Sequence, residues 1–297
     1  MKKKILLTGT SGFLGGNFLK SIIKDKVKVY DILREQNKKN KFLNNLKNKN
    51  KNYKSIYYKN NTDLKKKLHN KKFDILINFS TFYTRDHNYN DINHIINSNI
   101  NFPTALLDIL SSNLQIFVNF GTMMEYENSN NFLPQNLYSS SKKAFEKIAY
   151  FYQKKNSHCK FYNIKIFETF DLNDQRKKIL PTIIYAFTKK KKFYLSLKNL
   201  KINAVHTNDI NNFLKKIIKN KIPKGNYLIK NKKEIIIIKL LKKIKKTISK
   251  NFLFSVKNKN KEQKFLKKYH NLKTVLYNTD IEKNIFKYLH ENNKNKI

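Results

Sequence analysis

Tyr138 and Lys142 stand four residues apart in Tyr138-Ser139-Ser140-Ser141-Lys142. On a helix that spacing puts both side chains on one face, one turn from each other. An ammonium group beside a phenol, helped by a cofactor ribose, lowers the phenol's pKa. The phenol can then give or take a proton at a carbonyl or carbinol oxygen while hydride moves at the carbon. In a chain with 17 tyrosines and abundant lysines the spacing gains its weight from its place, after a strand and a loop. A second run, Ile5-Leu6-Leu7-Thr8-Gly9-Thr10-Ser11-Gly12-Phe13-Leu14-Gly15, offers a seat for such a cofactor. The first glycine lets the chain turn off an apolar strand, the second lets backbone approach a pyrophosphate, and the third lets the next helix pack on the sheet. That helix aims its N–H groups at the phosphates. Three of the six glycines in 297 residues are spent here. Gly9, Ser11, Gly12, Phe13, Leu14 and Gly15 are the expected cofactor contacts.

Strands and helices alternate around these groups. After the first strand and a helix over 15–24, the pattern predicts strands at 27–33, 55–58, 73–79 and 116–120. Helical periodicity fills 92–110 and 141–154, and the charge-rich stretch 36–54 reads as a solvated helix and loop. Such alternation predicts an α/β fold built on a doubly wound parallel sheet of Rossmann type. A nucleotide-binding domain over 1–170 and a smaller C-terminal substrate-binding lobe over 171–297 follow, with segments near 200–220 returning to the core. Within the lobe, 234–249 forms an amphipathic helix with Ile237, Leu241, Ile244 and Ile248 near one face; packing onto the lobe is preferred to resting on a membrane. Residues after Leu289 are polar and expected to fray.

Composition sets limits. Lysine and arginine total 63 against 20 acidic residues, a formal charge of +43. The excess is spread along the chain, is nearly all lysine, and accompanies abundant asparagine and isoleucine. It reads as coding bias, so no nucleic-acid partner is expected, although a positive field favours an anionic substrate. The single cysteine, Cys159, excludes an intramolecular disulfide framework and suits a reducing compartment. Beside His158 it has no further ligand spacing, so no metal is expected. No stretch reaches the roughly 18 to 20 apolar residues of a membrane span, and the start lacks a cleavage pattern. The expectation is a cytoplasmic protein without stable membrane insertion.

Thr8-Gly9-x-x-Gly12-Phe13-Leu14-Gly15 resembles the extended short-chain dehydrogenase/reductases, the epimerase/dehydratase family, most of which act on nucleotide sugars. Three further stretches are similar to its CDP-abequose synthase-like branch of sugar reductases: Asn119-Phe120-Gly121-Thr122, then Asn136 to Glu146, then Phe167 to Lys178. The resemblance implies that Thr122 is the hydroxyl residue at the end of the fifth strand that bonds the substrate oxygen, alongside Tyr138 and Lys142. It implies that Phe79 and Ser80 lie along the cofactor and that Asn60 approaches the adenine. Asn99 matches the family's helix asparagine that supports the site's backbone and is counted with the cofactor contacts. Arg176 and Lys178 suit the pyrophosphate of a nucleotide sugar, while His206 reads as structural. A homodimer and a role in cell-surface polysaccharide precursors are further implications.

The second strand carries the cofactor preference. If Asp31 closes it, the carboxylate accepts from the adenosine ribose and favours NAD. If the helix has the family's usual length, Asp31 falls inside the strand, Leu33 takes the acidic position, and Arg34 follows to pair with a 2′-phosphate. The second register needs no deletion, so NADP is preferred and NAD is the alternative. Met123 and Met124 replace the acid and base that a dehydratase places after the hydroxyl residue, which disfavours dehydration. The expected reaction is reduction of a 4-keto nucleotide sugar, with a 4-epimerase as first alternative and a non-catalytic cofactor-binding or RNA-associated protein as second.

Overall fold

Short apolar runs bounded by polar turns become the central strands of the protein, seen in a computed structural model that describes residues 2–126, 131–259, 269 and 271–294. In chain order the first half comprises β1 (Lys4–Thr8), α1 (Phe13–Ile22), β2 (Lys28–Arg34), α2 (Lys41–Lys49), β3 (Tyr53–Tyr58), α3 (Asn61–Leu68), β4 (Ile75–Asn78), α4 (Tyr89–Ile96), α5 (Phe102–Leu110), β5 (Ile116–Thr122), α6 (Leu137–Lys155) and β6 (Lys160–Ile166). The second half comprises β7 (Glu168–Phe170), α7 (Ile179–Thr188), β8 (Phe193–Leu197), β9 (Lys201–Ile202), β10 (Ala204–His206), α8 (Thr207–Ile218), β11 (Gly225–Asn231), β12 (Ile235–Ile236), α9 (Ile237–Thr247), β13 (Phe254–Lys259), β14 (Lys273–Tyr277) and α10 (Ile281–Lys294).

Eight strands form one sheet in the order β14-β11-β6-β5-β4-β1-β2-β3. The pairs from β3 through β6 are parallel. The order reverses between β1 and β4, the switch point outside which ligands of such sheets bind. This is the doubly wound fold expected from the alternation. The helix expected over 92–110 is interrupted: a π turn at Asn97–Asn101 separates α4 from α5. Such turns shift the helical face by one residue and recur at functional sites.

Two compact units divide the chain: residues 1–166, 211–228 and 270–273 form one, and 167–210, 229–269 and 274–297 the other. In the first, Leu6, Leu76, Phe117 and Phe161 line one sheet face against Leu106, Leu107 and Leu110 of α5 and Phe145 and Ala149 of α6. Two residues further along each strand the same face turns polar. Thr8 donates to Asn78 Oδ1 at 2.7 Å, Asn78 to Asn119 at 3.4 Å, Asn119 to Asn163 at 3.3 Å and Asn163 to Asn226 at 3.1 Å. The first four of these residues sit in register across neighbouring strands. Because a one-residue slip would break every rung, this ladder fixes strand register where the core meets the site.

The second unit has its own core of Phe170, Ile183, Leu195, Leu240, Leu241, Ile244, Ile285 and Leu289. Helix α9 buries Ile237, Leu240, Leu241 and Ile244 in it while Lys239, Lys242, Lys243, Lys245 and Lys246 face water. The amphipathic stretch is therefore a core helix of its own unit. Helix α10 runs to Lys294 with Ile281, Ile285 and Leu289 buried at i, i+4 and i+8, and the last three residues of the stretch expected to fray lie outside the described residues. No helix among the described residues is long and apolar enough to cross a membrane.

Candidate active site

The cradle is built by close contact. Gly9 has φ +64°, and a Cβ there would stand 2.7 Å from the Phe79 carbonyl carbon; at Gly15 it would stand 2.4 Å from the Gly9 oxygen. Both positions exclude every side chain. Thr8 Oγ1 accepts the Ser80 N–H at 3.0 Å, which seats the end of β4 on the turn. Phe79 itself points inward and packs against Phe18 and Phe120 at 5.6 and 5.0 Å, so it is the backbone of 79–80 that borders the cradle. Helix α1 begins at Gly12 with no side-chain cap and no acidic residue in its first turn. Its N–H groups and positive dipole end suit a pyrophosphate, and the backbone at Gly9 and Gly12 carries no side chain in its way. Ser11 and Gly12 are exposed, and Phe13 and Leu14 half-buried, at this edge.

Asp31 lies inside β2, which ends at Arg34. Its fully buried carboxylate accepts from Thr10 Oγ1 at 2.7 Å and Tyr53 Oη at 2.5 Å. Burial raises its pKa above the usual carboxylate range against the pull of those bonds. The register preferred from the sequence, with Asp31 inside the strand, is the one found; the alternative, in which Asp31 reaches the adenosine ribose, is corrected, since the residue braces the glycine turn from beneath. Arg34 is the exposed residue at the strand's carboxyl end, its Nη2 donating to Ser98 Oγ at 2.8 Å in the π turn.

Two other expected cofactor contacts have structural duties. Asn60 is the N-cap of α3, its oxygen accepting the Asp63 N–H at 2.9 Å. Asn99 is buried; its oxygen accepts from Phe82 N–H and Thr81 Oγ1 at 2.7 and 3.1 Å, and its amide donates to Phe82 O and Ser141 Oγ at 3.1 and 2.9 Å. Four bonds to protein occupy the carboxamide. Asn99 thus ties the 81–82 loop to α6, the support implied by the resemblance, and its place among the cofactor contacts is corrected.

Tyr138 and Lys142 lie in the first two turns of α6, which starts at the Asn136 cap, where Asn136 and Ser139 bond each other's backbone N–H reciprocally. Tyr138 is half-buried and meets Tyr83 edge to face at 4.9 Å. Lys142 is 2% exposed. Burial pulls its pKa down to about 8; the Glu125 carboxylate opposes that and the Lys165 ammonium adds to it. Thr122 ends β5, nearly buried, and its Oγ1 accepts the Met124 N–H at 3.2 Å. As that oxygen accepts, its proton is left for another acceptor.

Beneath these residues lies a charge cluster that the sequence did not announce. Glu125 Oε1 accepts the Thr122 N–H at 3.0 Å, and its Oε2 accepts from Lys165 Nζ at 2.5 Å. Lys165 also donates to Glu146 of α6, whose other oxygen accepts from Lys143 at 2.7 Å. A lysine between isoleucines in a strand was the available signal.

In the second unit, Arg176 forks onto Asp174 through Nε and Nη2 at 2.9 and 2.7 Å, and Nη2 also donates to Thr169 O and Oγ1. Lys178 reaches Glu168 at 3.4 Å. Both cations are engaged by neighbours in their own segment. His206 accepts the Asn208 N–H through Nδ1. Cys159 is buried, its thiol pushed up to about 12 by desolvation. The described residues contain no group of three metal-ligating side chains.

A glycine turn at the switch point of a doubly wound sheet, with a tyrosine and lysine one helical turn apart beyond the fifth strand, is the architecture of an NAD-dependent oxidoreductase. The chain belongs to the NAD dependent epimerase/dehydratase family, whose model matches residues 5–229. It is 29% identical over 209 residues to the CDP-abequose synthase of Yersinia pseudotuberculosis, covering 70% of each chain. The CDP-abequose synthase of Salmonella muenchen is 22% identical over 230 residues, covering 76% of this chain and 74% of that one. Among solved structures, the UDP-N-acetylglucosamine 4-epimerase of Methanobrevibacter ruminantium M1 superposes with TM-score 0.75 at 19% identity, over 99% of this chain and 98% of that one. The UDP-glucuronic acid 4-epimerase of Bacillus cereus, solved with NAD and its nucleotide sugar, gives 0.74 at 16% identity, over 98% and 96%. At such identity the likeness is one of fold.

Proposed function

We propose that this enzyme reduces the keto group of a 4-keto nucleotide-activated sugar with NADPH. The observation that carries the reading is the pairing of the Thr122, Tyr138 and Lys142 trio with methionines at 123 and 124, where a dehydratase needs an acid and a base. Relatives named CDP-abequose synthase support a cytidine diphosphate sugar as the first substrate to try.

A bound nicotinamide supplies hydride to the carbonyl carbon. Tyr138 gives its phenolic proton to the carbonyl oxygen, and Thr122 donates a hydrogen bond to the same oxygen and orients it. Lys142, as an ammonium, holds the cofactor ribose and favours the tyrosinate that the transfer leaves behind. Gly9, Gly12 and the start of α1 hold the pyrophosphate. Arg34 takes the 2′-phosphate, which distinguishes NADP from NAD. Arg176 and Lys178 serve the sugar nucleotide's diphosphate, with Asp174 keeping the guanidinium in one orientation.

The test is NADPH oxidation across CDP-, dTDP-, UDP- and GDP-4-keto sugars. One NADPH consumed per product supports the reading. Inversion at C4 of the corresponding 4-hydroxy nucleotide sugars, without net consumption of cofactor, replaces it with the epimerase, a reading that the epimerase folds keep in view. No turnover with any of the four removes it.

A further inference from the structure

The mechanism leaves unused a deeply buried ion-pair cluster of the first unit. Lys165 is 1% exposed and Glu125 fully buried, while Glu146 closes the cluster at 13%. Buried ions are costly to desolvate, and apolar replacements of such clusters are often as stable or more so, so stability alone is a weak reason for this one. Its connections run between the elements that carry the chemistry. Glu125 grips the peptide N–H of Thr122 at the end of β5. Lys165, from β6, joins that carboxylate to Glu146, one turn beyond Lys142 on α6. The fold makes room for it: a Cβ at Gly121 would lie 2.5 Å from Lys165 Nζ and 2.8 Å from Glu125 Oε1. Glycine at 121 lets the lysine pass beneath the strand.

We propose that Glu125 and Lys165 are positioning residues of the reaction. They lock the strand end bearing Thr122 to the helix bearing Tyr138 and Lys142. The proposal rests on the role assigned above to the trio, and not on the identity of the sugar.

The charges around Lys142 support it. The turn after β5 brings Glu125, which favours the ammonium, and β6 brings Lys165, which disfavours it. The helix itself carries Tyr138, Lys143 and Glu146, the last two paired with each other. From α5, Asp108 is taken by Tyr152 near the far end of α6. From α4, His94 stacks on Phe82, and Asp91 accepts the Asn88 N–H in the helix cap. Removing Glu125's charge therefore lowers the Lys142 midpoint, and removing that of Lys165 raises it.

The experiment measures NADP and NAD affinity by fluorescence titration from neutral to alkaline pH, in the whole protein and in E125Q, K165M, the E125Q/K165M double variant and K142M. K142M identifies the alkaline limb by abolishing it. E125Q keeps an acceptor for the Thr122 N–H but turns an amide N–H towards Lys165 Nζ, so it cuts the link to β6 while leaving the turn its bond, and it carries the test if K165M does not fold. The expected result is a midpoint lowered by about one unit in E125Q and raised by a similar amount in K165M, with the double variant between them. Where turnover is found, each single variant loses about tenfold or more in kcat while KM changes little, because the transition state depends on the alignment and ground-state binding does not. Midpoints that stay in place or move together overturn the proposal, as does wild-type kcat in E125Q. Silence of the unaltered enzyme on every nucleotide sugar strikes the substrate reading alone, since the affinity profile still decides this one.

Discussion

Arg34 closes β2 with its guanidinium on the Ser98 hydroxyl, 2.8 Å away across 64 residues of sequence. That bond spans the strand end and the π turn and holds a cation at the carboxyl edge of the sheet. Replacing Arg34 with alanine is expected to weaken NADPH binding by about tenfold or more, about 1.4 kcal/mol per factor of ten, and to leave NADH within about twofold. Calorimetric titration of both cofactors checks this. Equal losses for the two would deny Arg34 a role in discrimination.

Gly9→Ala places a methyl group 2.7 Å from the Phe79 carbonyl carbon on a backbone with φ +64°. The left-handed conformation alone costs alanine about 1–2 kcal/mol. The clash is with backbone and cannot be relieved by a rotamer change. A lower melting temperature and loss of measurable cofactor binding are expected, read by calorimetry and fluorescence titration. A variant that binds NAD normally would contradict the described turn.

Asp31 has a raised pKa because burial outweighs its bonds from Tyr53 and Thr10, and its Oδ1 has no hydrogen-bond partner. Between the unfolded value near 3.8 and the raised folded value, the folded state binds the proton and the unfolded state does not. Stability therefore falls as pH rises through that window, and the cost persists above it. Relative to Asp31→Asn, the wild-type protein is expected to lose stability as pH rises from about 4 towards neutral, with other groups cancelling in the comparison. Urea unfolding of the pair across that range checks the sign; a constant difference would count against a buried, protonatable carboxyl.

Asn99→Ala leaves the Phe82 N–H and carbonyl without their side-chain partner and cuts the link to Ser141. Unpaired buried groups cost about 1–3 kcal/mol each, so a loss of about 2–4 kcal/mol in stability is expected. If Asn99 supports the site as well as the fold, kcat falls further than KM rises. Unfolding curves and steady-state kinetics together separate the two effects.

The glycine turn, the parallel strands and the Tyr138–Lys142 helix were legible because each follows from local chemistry: a positive φ, an apolar run, a spacing of four. Position within β2 was legible as a choice of two registers, because helix length decides whether Asp31 ends the strand or lies inside it, and the preferred one, with Asp31 inside, is the one found. Glu125, Lys165 and Glu146 come together from positions as many as 40 residues apart, and in a chain with 63 basic residues the one mark of the cluster, a lysine between isoleucines, does not name its partners. The asparagine ladder was hidden for the same reason, since asparagine is common throughout and only strand register brings Asn78, Asn119 and Asn163 into line. The π turn lay inside an unbroken helical pattern and became visible through the buried Asn99 it carries.

The most direct measurement follows the label from NADPH deuterated at the transferring position into a CDP-4-keto sugar, with Tyr138→Phe in parallel. One deuterium in each product molecule, one cofactor oxidised per product, and a rate loss of about a hundredfold or more in the variant are expected. Carbinol product that carries no deuterium, NADPH left unoxidised with the ketone unchanged, or a variant as fast as the wild type would contradict the reductase mechanism.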